Sequence, residues 1–125
     1  MKAHAQELGI RDDQIMVGGD SAGGGLAAAL TLYARDQQDV AIAFQMPIYP
    51  MLDDRMETES AQNNDMPVWN SKSNALAWRL YLAGLFGTDH VPPYAAPARA
   101  DRYEDLPPTV TFVGDLEPFR DETIQ

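Results

Sequence analysis

A chain of 125 residues has room for one domain built around one core. Its 9 Lys plus Arg against 19 Asp plus Glu give a formal net charge of -10, which repels phosphate backbones and anionic headgroups and sets nucleic acid and membranes aside as partners. The absence of cysteine removes disulfides, a thiolate nucleophile and a Cys-type zinc site. No apolar run approaches the ~20 residues of a membrane span, and residues 1 to 15 lack a signal-peptide core, so the expectation is a soluble, cytoplasmic protein.

In chain order, residues 2 to 8 read as the end of a helix stopped by Gly9, and Gln14 to Val17 as a short strand running into glycines. A helix is predicted from Ala22 to about Arg35, because Leu26, Ala29, Leu30 and Tyr33 share one face at the spacing i, i+3, i+4, i+7. Val40 to Ile48 reads as a buried strand. Residues 50 to 70, rich in Asp, Glu, Asn, Met and Pro, read as a lid-like excursion, extended to about 86 by a helix that Ser71 or Ser73 can cap. That helix is apolar on two sides, Leu76, Leu80 and Ala83 on one and Trp78, Leu82 and Leu85 on the other. Residues 87 to 108 hold five of the nine prolines and are expected to be irregular, whereas Thr109 to Val113 is a compact strand ending at Gly114. The alternation of helix and strand implies an α/β domain with a mostly parallel sheet flanked by helices.

The chemistry is concentrated at 17–25, where Gly19-Asp20-Ser21-Ala22-Gly23 forms G-x-S-x-G between a predicted strand and a predicted helix. A serine on so tight a turn projects its hydroxyl from the sheet, and Gly19 and Gly23 are expected to keep side chains out of its way. The Ala22 amide, at the positive end of the helix, is placed to donate to a developing oxyanion, which is half an oxyanion hole. The bland alternative is a glycine-rich turn of any doubly wound domain. A phosphate-binding alternative, G-x-G-x-x-A at 23–28, puts its glycines inside the helix instead of in the turn before it, and no Lys follows them as a P-loop requires.

Four ordered blocks, GDSAGG at 19–24, YPMLDDR at 49–55, the Trp-containing segment 69–82 and LPPTVTFVGDLEPFRDE at 106–122, extend over nearly the whole chain. Together they resemble the hormone-sensitive-lipase-like branch (bacterial family IV) of carboxylesterases and lipases in the α/β-hydrolase superfamily. The resemblance implies a partial α/β-hydrolase fold, a small-molecule ester as substrate, no cofactor and no metal. It makes Ser21 the nucleophile and, from the family's D-P-L-x-D type motif, places the triad acid at Glu117 on the strand and loop 109–122. Asp115 and Asp121 are neighbouring acids that could take the role, and the alternative for 115–122 is a solvated acidic turn with Arg120 paired locally. A Glu can hold and stabilise an imidazole as an Asp does, with different reach.

Such hydrolases order their triad Ser, acid, His, yet no histidine follows Glu117, and His4 and His90 both precede it. The upstream HGGG motif of the resembling enzymes is missing as well. The expectation is therefore a piece of a longer esterase with negligible activity of its own, with a non-catalytic remnant or an oligomerising or binding module as the alternative. Exposed strand edges and uncovered apolar faces lead to an expected homo-oligomer or a marginally stable product. Of the Met and Trp residues at 46, 51, 56, 66, 69 and 78, most are expected to pack the interior, and the rest to line an acyl or alcohol pocket. Asp53, Asp54 and Arg55 are expected to fix the start of the excursion through local ion pairs and turn caps.

Overall fold

The computed structural model describes residues 1–125. A 3-10 turn, Lys2–His4, runs into α1 (Ala5–Leu8), and Gly9 ends it in the left-handed region at φ 63°, the conformation glycine enters without steric cost. β1 spans Ile15–Asp20 and β2 spans Ile42–Ile48, parallel, with a register shift between Ile15 and Met16 beyond which Gly18 lies beside Met46 and Asp20 beside Ile48. β1 is longer than its apolar residues predict, because pairing with β2 carries Gly18, Gly19 and Asp20 along despite their poor strand preference. α2 (Ala22–Gln37) connects the two strands.

The buried face of α2 differs from the predicted one. Leu26, Leu30 and Tyr33 are exposed, while Gly24, Gly25, Ala27, Ala29, Thr31, Leu32 and Ala34 are buried. The helix approaches the chain leaving β2 so closely that a Cβ on Gly24 would come within 3.0 Å of Pro50, and one on Gly25 would run into the Met51 carbonyl. Only glycine fits at those two positions, and of the large apolar residues of α2 Leu32 alone is buried while Leu26, Leu30 and Tyr33 face outward. Two parallel bridges, Gln45 with Thr109 and Ile48 with Phe112, stand where a third strand was expected. The bridged segment is held by Val110 N donating to Gln45 O at 3.2 Å and Tyr49 N donating to Phe112 O. Pro107 and Pro108, having no N–H, contribute no donors to the start of that ladder.

Residues 50–70 leave the sheet and contain α3 (Glu59–Gln62), capped by the Thr58 side chain. α4 (Ser71–Leu82) is capped by Asn70, not by either serine: its side chain accepts from the amides of Lys72 and Ser73. The Trp78 and Leu82 side of α4 enters the core with Met51, Val91, Ala96 and Phe119, whereas Leu76 and Leu80 are exposed. Leu85 does not join Trp78 and Leu82, because the helix gives way at Ala83 (φ 49°) to a 3-10 turn, Ala83–Leu85, that redirects the chain. Residues 87–108 are irregular apart from a 3-10 turn at Pro97–Arg99, and α5 (Arg120–Ile124) ends the chain. Asp53 and Arg55 pair locally in two bonds, as expected, but Asp54 pairs across 45 residues with Arg99.

Candidate active site

Ser21 stands at the junction of β1 and α2 with φ 53° and ψ -120°, a strained conformation for a residue with a side chain. Its backbone is fully engaged: the amide donates to Ile48 O at 3.0 Å, and the carbonyl accepts from Gly25 N and Met51 N, each at 3.1 Å. These bonds tie the turn to the end of β2, so the strain is borne by the parallel pair. Gly19 is required, since a Cβ there would run into the Gly23 carbonyl. A Cβ on Gly23 would meet Asp20 Oδ1 at 3.9 Å, an ordinary contact, so the close approach at this turn is at Gly19.

Asp20 ends β1 and its Oδ2 accepts from the Tyr49 hydroxyl at 3.4 Å. Ala22 is the first residue of α2, and an amide in a first turn has no preceding helical carbonyl to bond. It is thus oriented with the positive end of the helix beside Ser21.

Ser21 and Glu117 line one open cleft of about 510 Å³, together with Tyr49, Leu116 and the stretch Met66-Pro67-Val68-Trp69. Glu117 is half-buried and its Oε1 accepts from Gly114 N at 3.0 Å, which holds the carboxylate over its own turn. The other acids nearby are placed differently. Asp121 accepts from Arg120 Nε at 2.8 Å and Ser60 N at 2.9 Å, and Arg120 followed by the Ser60 amide holds its carboxyl below the usual range. Asp115 is exposed and contributes its carbonyl to Arg120. Of the three, Glu117 alone shares the cleft with Ser21. His4 and His90 are exposed and line no part of it.

Of the sulfur and indole side chains, Met51 and Trp78 lie in the core with Met56 against it, while Met66 and Trp69 face the cleft. Of the polar side chains that shape this region, Ser60, Asn64 and Asn70 were not singled out in the sequence and Ser71 was expected only as a helix cap: Ser60 bonds the acid-bearing loop, and Asn64, Asn70 and Ser71 close the stretch 64–71 on itself. The one available signal was the density of Asn and Ser flanking Met-Pro-Val-Trp, a turn-forming composition.

The whole chain, residues 1–125, matches the model of a family with the alpha/beta hydrolase fold. The chain belongs to that family. Among its relatives, Esterase LipI of Mycobacterium tuberculosis is 37% identical over 123 residues, covering 98% of this chain and 38% of that protein. Carboxylesterase NlhH of the same species is 35% identical, covering 95% and 38%. Among solved structures, a bacterial heroin esterase superposes with a TM-score of 0.95 at 47% identity, covering 98% of this chain and 40% of that one. Esterase LipW of Mycobacterium marinum gives 0.89 at 35% identity, covering 98% and 38%. The chain therefore spans about two fifths of the length of the relatives it matches, and these relatives carry esterase names. No helix is long and apolar enough to cross a membrane.

Proposed function

We propose that this chain carries the nucleophile and the acid of a serine carboxylic-ester hydrolase working through an acyl-enzyme, with Ser21 as nucleophile, the Ala22 amide as one oxyanion donor and Glu117 as acid. The observation that supports this reading best is the shared cleft: a serine on a strained strand-to-helix turn and a carboxylate 96 positions later in the sequence wall the same apolar space. A base near Ser21 would take its proton as the oxygen attacks the ester carbonyl, the alcohol would leave with a proton from that base, and water would release the acid from the serine. Glu117 would orient the base and stabilise it when charged. The chemistry needs no metal or cofactor.

The base is an imidazole in the order Ser, acid, His, and none of these 125 residues can supply it from beyond Glu117. The 125-residue chain is accordingly expected to hydrolyse 4-nitrophenyl acetate no faster than its Ser21→Ala variant. A longer chain that adds a histidine downstream and a second oxyanion donor upstream should turn the ester over, and Ser21→Ala in that form should abolish turnover. Ester turnover in the longer form that is indifferent to Ser21→Ala would sink the proposal.

The open face of the sheet, with Met16 and Phe112 each more than half exposed, supports self-association of the isolated chain. A monomer in sedimentation analysis with cooperative unfolding would count against it. The absence of cysteine is consistent with a reducing, cytoplasmic setting.

A further inference from the structure

The stretch from Asn64 to Ser71 spends polar side chains on holding an apolar surface in the open. Asn64 N donates to Ser71 Oγ at 3.0 Å and Ser71 N donates back to Asn64 O at 3.1 Å, closing the loop at its base. Inside it, Met66 N donates to Asn64 Oδ1 at 3.2 Å, and Asn70 Nδ2 donates to Met66 O at 3.2 Å. Asn64 Nδ2 then donates to Leu116 O at 2.8 Å, fastening the loop to the turn that bears Glu117. What these bonds present is Met66, Pro67, Val68 and Trp69, with Leu116 beside them, all lining the cleft of Ser21.

Packing within these 125 residues does not account for that surface. Val68 is 93% exposed and Leu116 70% exposed, so neither contributes to the core, and Trp69 keeps 36% of its area open. Isolated exposed apolar residues are ordinary, but a group of them held rigid around one concave site is a binding surface. With Tyr49 on the same cleft, these residues offer two aromatic rings and four aliphatic or thioether side chains, the lining expected for a flat apolar group. Because the loop is already closed by its own hydrogen bonds, little ordering is lost when a ligand docks.

We infer that residues 64–71 are a preorganised platform that selects esters bearing an aromatic group, which rests against Val68, Trp69 and Leu116 beside Ser21. This rests on the ester-hydrolase reading of the cleft. The aromatic ring could belong to the acid or to the alcohol of the ester, and the two arrangements use the same wall.

The test is saturable quenching of tryptophan fluorescence in the 125-residue chain by methyl 4-nitrobenzoate, aromatic on the acyl side, and by 4-nitrobenzyl acetate, aromatic on the alcohol side. Trp69 is the accessible reporter, Trp78 being only 1% exposed. At least one probe should saturate, with the signal lost in Trp69→Phe, and the tighter one assigns the side of the ester. Val68→Asp, at a position too exposed to affect folding, should raise the half-saturating concentration at least fivefold. Asn64→Ala, which opens the loop, should do the same. Methyl acetate should not compete at equal concentration. Absence of saturable quenching by either probe would overturn the inference, as would unchanged curves in both variants or equal competition by methyl acetate. Binding should survive Ser21→Ala, so the platform and the nucleophile fail separately: lost aromatic selectivity with serine-dependent turnover intact in the longer chain removes only the platform.

Discussion

Ser60 and Asp121 exchange hydrogen bonds across 61 residues: Ser60 N donates to Asp121 Oδ2 at 2.9 Å and Asp121 N donates to Ser60 Oγ at 3.1 Å. The same hydroxyl donates to Pro118 O at 3.0 Å. One small residue thus fastens the excursion after β2 to the loop that carries Glu117, at Pro118 and at Asp121 just beyond it. Ser60→Ala leaves the Asp121 amide and the buried Pro118 carbonyl short of a partner, at a cost of about 1–3 kcal/mol. Urea unfolding should show that loss in Ser60→Ala, with Asp121→Asn, which keeps an acceptor for the Ser60 amide, falling less. A Ser60→Ala midpoint equal to that of the original chain would refute the joint.

The two acidic neighbours Asp53 and Asp54 should respond unequally to loss of their arginines. The Asp54 side chain is 1% exposed and receives Arg99 through Nε at 2.6 Å and Nη2 at 2.9 Å. Removing the guanidinium strands a buried carboxylate, which costs about 3–5 kcal/mol. Arg55 is 40% exposed, and Asp53 keeps a bond from the Arg55 amide when the side chain is cut, so the loss there is about 1 kcal/mol. Thermal melts of Arg99→Ala and Arg55→Ala decide the matter, and equal shifts would refute the distinction.

The parts of this molecule legible from sequence are those where a local pattern meets a local cause. Gly9 stops α1, Ser21 marks the turn between β1 and α2, and Asp53 with Arg55 closes a short ion pair, each within a few residues. What escaped was set by distant chain. The outward face of α2 was misread because a helix can bury glycine and alanine when Pro50 and Met51 press against it, and a hydrophobicity pattern gives weight only to its large residues. The Arg99 partner of Asp54, the Ser60 joint and the Leu116 anchor of Asn64 link positions 45 to 61 residues apart. No periodicity encodes such pairings. Glu117 was reached through resemblance to a family motif, and that it lines the same cleft as Ser21 became visible only in the structure.

Glycine substitutions separate the tight helix interface from open turns. A Cβ at Gly25 would collide with the Met51 carbonyl, which is itself tied to α2 because Met51 N bonds Ser21 O. Gly25→Ala must push α2 and the chain after β2 apart, costing about 1–3 kcal/mol and displacing the turn that holds Ser21. A Cβ at Gly84 meets nothing within 4 Å, so Gly84→Ala should leave stability within about 0.5 kcal/mol. Chemical denaturation of both variants provides the comparison. If Gly25→Ala unfolded at the same urea concentration as Gly84→Ala, the close approach of α2 to the chain after β2 would be wrong.

Glu122 should make the fold weaken as pH rises. Its Oε1 accepts from Leu52 N at 2.8 Å, yet burial dominates and pushes the carboxyl from an ordinary 4.5 up to about 8, with the nearby negative charge of Asp53 acting in the same direction. Because the folded value lies above the unfolded one, the folded chain holds this proton when the unfolded chain has released it. Stability from the neutral form is therefore fully present below about 4.5, declines through the interval, and is lost by about 8. The size of the loss is on the order of a few kcal/mol. Glu122→Gln keeps an acceptor for Leu52 N and removes the titration, so its unfolding free energy should vary less between pH 5 and pH 8.5 than that of the original chain. The relevant quantity is the difference in slope, since any constant cost of a buried amide cancels from it. Parallel profiles for the two proteins across that interval would show that Glu122 is charged in the folded state and would remove it as the source of the pH dependence.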